Sequence, residues 1–73
     1  MNIEVDKLYK HFKGHIYKII AIAKHSETLE ELVVYQNIET NDVWVRPIEM
    51  FKELVDKEKY PNIEQTYRFE QID

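Results

Sequence analysis

The segment His15 to Lys24, HIYKIIAIAK, is apolar at nearly every position and follows the only glycine of the chain, Gly14. Three isoleucines and Tyr17 fall within the six residues 17–22. Such side chains lose rotamer freedom against the turns of a helix and pack well on a pleated surface, so the segment is predicted to be extended. Because it shows no alternation, it reads as a central strand with both faces covered. Its longest uninterrupted apolar run, Ile19 to Ala23, is far short of the roughly 20 residues that a membrane-crossing helix needs. No membrane role is expected.

The other elements follow from periodicity and turn chemistry. Glu31 to Ile38 (ELVVYQNI) alternates, with Leu32, Val34, Gln36 and Ile38 on one side and Val33, Tyr35 and Asn37 on the other. His25 to Glu30 (HSETLE) is a polar hairpin connection, although Thr28 and Glu31 also satisfy the capping-box pattern of a helix start. Asn37 to Asp42 (NIETND) reads as a second turn, followed by a strand Val43 to Arg46 stopped by Pro47. Pro47 suits the first turn of a helix, and Ile48, Phe51 and Leu54 then recur every third residue, which predicts a short helix from Pro47 to Val55 with Glu49, Lys52 and Glu53 outside. Residues 56–64, interrupted by Pro61, form a charged loop, and Thr66 to Ile72 closes the chain as a strand with Tyr67 and Phe69 inward. The fold class is mainly β: a small, strongly bent antiparallel sheet or SH3-like barrel with one short helix.

A chain of 73 residues has room for one domain, since so short a domain buries only about 60% of the surface its unfolded form exposes. Without cysteine there is no disulfide or thiolate cage, so stability rests on packing, and a reducing, cytoplasmic setting is expected. The start, MNIEVDKLYKHFKG, carries charges where a signal peptide is apolar, so export is not expected. Residues 1–24 carry five lysines against Glu4 and Asp6, a balance of +3, while residues 25–73 hold five bases against twelve acids, a balance of −7. Net acidity argues against a nucleic-acid partner, although Lys7, Lys10, Lys13, Lys18 and Lys24 would be the residues for one if they clustered.

The order Tyr9-Lys10-His11-Phe12-Lys13-Gly14, His25-Ser26-Glu27-Thr28, Glu31-Leu32-Val33-Val34-Tyr35-Gln36, Trp44-Val45-Arg46-Pro47 and Met50-Phe51 resembles the bacterial and phage family catalogued as domain of unknown function 1653. The resemblance covers about residues 7–54 and, with Arg68-Phe69, nearly the whole chain. The loop Lys57 to Glu64 departs from the family pattern in lacking a glycine. The resemblance implies a small β-rich module that stands alone or is attached to other domains, including nucleotide-processing enzymes, with no reaction established for the module itself.

His25, Ser26, Glu27, Tyr35, Trp44 and Arg46 are the candidate ligand-binding residues, because polar and aromatic groups at paired strand ends converge on one rim. His25 oriented by Glu27 has the make-up of an acid–base pair. Ser26 beside His25 is no nucleophile in an extended strand, where adjacent side chains point to opposite faces. A turn held by the Ser26 and Thr28 hydroxyls with a structural His25 explains the same residues. Arg46 offers a guanidinium fork for a phosphate or carboxylate, or is an internal partner of Glu27 or Glu31, in which case its removal costs about 3 to 5 kcal/mol. His11, His15 and His25 are a weak metal set, since Gly14 removes any helical spacing between the first two. Trp44, Tyr35, Tyr17 and Tyr9 have the make-up of an aromatic cage for a methylated amine, or of a core. The expectation is a non-catalytic binding or accessory module with no cofactor and no metal, whose partner is a small molecule or a protein. The alternatives are a small hydrolase of phosphorylated or nucleotide substrates, and a nucleic-acid binder using the early lysines. Oligomeric state is not legible.

Overall fold

Three successive hairpins carry the chain from β1 (Leu8–His11) through β2 (Ile16–Lys24) and β3 (Glu31–Asn37) to β4 (Val43–Pro47). The short helix α1 (Ile48–Phe51) and the closing strand β5 (Phe69–Gln71) complete the order in this computed structural model, which describes residues 2–73. The five strands form one antiparallel sheet in the order β4-β3-β2-β1-β5.

The hairpins share one construction. The residue that opens each turn turns its own side chain onto the backbone, as Asx-type turns do. His11 Nδ1 accepts from the Lys13 N–H at 3.1 Å, His25 Nδ1 from the Glu27 N–H at 3.1 Å, and Asn37 Oδ1 from the Glu39 N–H at 2.9 Å. Each turn then uses one left-handed residue: Gly14 at φ 103°, Leu29 at 63° and Asn41 at 65°. Thr28 and Thr40 hydroxyls accept from Glu30 and Asp42 N–H groups in matching positions. HSETLE is therefore a hairpin turn held by His25 and Thr28, not by Ser26, and Thr28 opens no helix.

β2 is central and extended, but the predicted coverage of both its faces is corrected. Ile19 is completely buried whereas Ile20 is 39% exposed. The register with β3 slips between Ile19, opposite Tyr35, and Ala21, opposite Val34, so Ile20 is a β-bulge. The extra residue reverses the alternation. Tyr17 and Ile19 face the core before it and Ile22 after it. Apolar residues at consecutive positions thus reflect a change of parity along one packed face. β3 alternates as read, with Val33, Tyr35 and Asn37 buried.

The core on that face is aromatic: Tyr9, Tyr35, Phe51 and Phe69 with Ile19 and Val33. Phe51 and Phe69 stack at 4.1 Å, and Tyr35 meets both edge-on at 5.4 and 5.6 Å. Edge-to-face and stacked rings fill volume with favourable quadrupole contacts, which suits a chain too short for a broad aliphatic core.

Of the bent antiparallel sheet or SH3-like barrel expected, the antiparallel sheet with one short helix is what forms, and it is open: β4 and β5 remain opposite edges. Two further expectations are corrected. The predicted helix to Val55 ends at Phe51, because Glu53 and Val55 turn to pair with Arg68 and Thr66, the Arg68 N–H donating to the Glu53 carbonyl and the Val55 N–H to that of Thr66, both at 2.9 Å. Val55 is buried in place of Leu54, which is 61% exposed and bridges Tyr67. The closing strand is correspondingly short, and Tyr67 lies exposed before it. Within the predicted loop, Lys57 donates its Nζ to the carbonyls of Ile63 and Gln65.

Candidate functional site

The hairpins decide where each candidate residue stands. His25, Ser26 and Glu27 sit in the β2–β3 turn, where the Nδ1 of His25 is occupied by the N–H groups of Glu27 and Thr28. Tyr35 is buried in the core, so its ring supports the sheet. Trp44 lies opposite Tyr35 on β4, near the other turn, and is 53% exposed. Arg46 lies opposite Val33 on the same edge strand. The six residues do not share one cavity: Arg46 alone of them lines the cleft described next.

That cleft, of about 490 Å³, lies between the β1–β2 turn, β4 and the paired segments around Glu53 and Arg68. Lys13, Arg46, Lys59 and Arg68 line it against only Glu53 and Asp56, a cationic recess in a chain of net charge −4. Its aromatic wall is Phe12 against Tyr60 at 4.9 Å, with Lys13 Nζ 5.9 and 5.7 Å from the two ring centroids. His11 stacks on Phe12 at 4.4 Å and meets Phe69 edge-on at 4.9 Å.

Arg46 is fixed here by the core. Its guanidinium carbon is 5.8 Å from the centroid of the Phe69 ring, a cation–π contact. Its Nη1 is buried and has no hydrogen-bond partner among the described residues. Glu31 lines a separate depression with Pro47 and Ile48. An unpaired buried donor costs about 1 to 3 kcal/mol, so the position is unfavourable unless something accepts from it.

The same electrostatics act on His11. Burial, then the charges of Arg68, Arg46, Lys13 and His15, push its imidazole down to about 4. The ring is therefore neutral near pH 7, as its role as acceptor from the Lys13 N–H requires.

Tyr9 and Tyr35 are in the core with Tyr17 packed against it, so with the exposed Trp44 they form no cage. His11 and His15 bracket the first turn and His25 opens the second, and among the described residues no three metal-ligating side chains gather. Lys7 directly precedes β1, Lys10 and Lys18 lie along β1 and β2, Lys13 at the cleft and Lys24 at the far end of β2 opposite Glu31. No described helix is long and apolar enough to cross a membrane.

Sequence reasoning did not group His11, Lys13, Tyr60 and Arg68 with Arg46, because four separate segments supply them. The one local signal was a basic residue directly before a core aromatic, Arg68 before Phe69.

No curated protein and no solved structure matches the chain. A family model matches residues 7–71, which spans every strand of the sheet and every side chain of the cleft. The chain belongs to the family described as protein of unknown function DUF1653.

Proposed function

We propose that this domain is a non-catalytic binding module whose ligand, a small molecule or a protein, presents a phosphate or carboxylate to Arg46 and Arg68 in the cleft. The observation that carries the reading is the buried, unpartnered Nη1 of Arg46. A guanidinium held against an aromatic ring keeps a fixed fork, and an oxyanion satisfies it with two charge-assisted hydrogen bonds. Four cations against two carboxylates suit a compact anion, while the acidity of the rest of the chain disfavours a long polyanion.

Calorimetric titration with phosphate, pyrophosphate and simple carboxylates tests the proposal. Expected is saturable binding that weakens with salt and falls by about tenfold or more in Arg46→Gln, the equivalent of about 1.4 kcal/mol. Binding as strong in Arg46→Gln and Arg68→Gln as in the unmodified chain would place the ligand elsewhere.

A further inference from the structure

The edge strand β4 points to a second copy of this chain. Val43, Trp44 and Val45 are 58%, 53% and 60% exposed in succession, so this edge buries neither face of its middle. Natural edge strands are normally blunted by charges, proline, a bulge or a covering element, and here Arg46 and Pro47 serve at one end of the strand and leave Val43 to Val45 bare.

The pairing with β3 fixes which backbone groups are free. The Asn37 N–H donates to the Asp42 carbonyl at 2.9 Å, which makes Asn37 and Asp42 a hydrogen-bonded pair. Hydrogen-bonded and non-hydrogen-bonded pairs alternate along an antiparallel ladder. Val43 opposite Gln36 and Val45 opposite Val34 are then non-bonded pairs, and their N–H and C=O groups point away from the sheet. Those four groups are the recognition surface of the edge.

We infer that two copies pair antiparallel through β4, with the two-fold axis at Trp44. In that register Val43 lies opposite Val45 of the second copy, and all four outward groups on each strand are bonded. Trp44 meets Trp44 of the second copy on one face. A register centred on Val45 sets Val43 opposite Pro47, which has no N–H, and leaves the Val43 carbonyl without a donor. Apolar about Trp44, and matched to itself in its outward backbone groups, the edge fits its own copy better than an unrelated strand. The inference rests on the free edge and is independent of the anion cleft.

Cysteine cross-linking reads the register directly, because the chain has no native cysteine. Residues of a non-hydrogen-bonded pair have Cα atoms about 4.5 Å apart. A disulfide spans about 4.4 to 6.8 Å. Expected is rapid oxidation of Trp44→Cys to a covalent dimer, with Glu58→Cys slow, and a dimeric mass for the unmodified chain that Val45→Lys reduces to a monomer. A monomer at every concentration with Trp44→Cys no faster than Glu58→Cys overturns the inference, as does preferential cross-linking of Val45→Cys, which would show another register. Pairing of the edge only with added extended peptides overturns the choice of partner.

Discussion

The guanidinium of Arg46 rests on the ring of Phe69 while its Nη1 is buried and, among the described residues, donates to nothing. An internal ion pair would make Arg46 a structural necessity, whereas an unpaired buried donor is a standing cost. Arg46→Met keeps the packing over Phe69 and removes the charge. Chemical denaturation is expected to show stability unchanged or raised by about 1 kcal/mol. A loss of about 3 kcal/mol or more would mean that the guanidinium has a carboxylate partner in solution.

Leu29 and Asn41 hold the same left-handed place in turns built alike, yet only asparagine suits it. The Leu29 side chain is 68% exposed, so little packing offsets the strain. Leu29→Asn and Leu29→Gly are expected to raise stability by about 1 kcal/mol. Asn41→Leu should lower it by a similar amount, and thermal melts of the three variants decide the matter.

His11 gives the fold a pH dependence whose sign follows from its depressed pKa. Unfolded, the imidazole takes a proton near 6.5; folded, it resists until about 4. Between those values the unfolded state binds more protons, so the contribution is complete above about 6.5 and is lost as pH falls toward 4. His11→Asn retains an acceptor for the Lys13 N–H, as Asn37 does in its own turn, without titrating. Urea midpoints against pH should slope between 4 and 6.5 in the parent and flatten in the variant; equal slopes would assign the effect to other groups.

The adjacent isoleucines of the bulge are expected to behave oppositely. Ile19→Ala empties a fully buried site and should cost about 2 to 5 kcal/mol. Ile20→Ala removes a partly exposed side chain at the bulge and should cost well under half as much, about 1 kcal/mol or less. Comparable losses would show that both faces of β2 are covered.

The strands were legible because their signals are local: Val33, Tyr35 and Asn37 alternate, and both HSETLE and NIETND carry their own turn acceptors. The bulge was not, since a parity change and two-sided burial leave the same apolar run at Ile19 to Ala23. The helix beyond Phe51 failed for a non-local reason, the pairing of Glu53 and Val55 with a segment more than ten residues later. The choice between an open sheet and a barrel was not legible either, because edge pairing is a property of the whole sheet. Of the expected rim, Arg46 lines the cleft, while the residues beside it there come from turns and loops whose mutual approach no spacing encodes.

The anion cleft is tested most directly by the side-chain nitrogen signals of the two arginines, observed by NMR while inorganic phosphate is titrated into the native domain. The account expects the Arg46 and Arg68 signals to move together and saturate, with the Lys13 amide following. Signals that stay fixed at both arginines while another surface responds would contradict it.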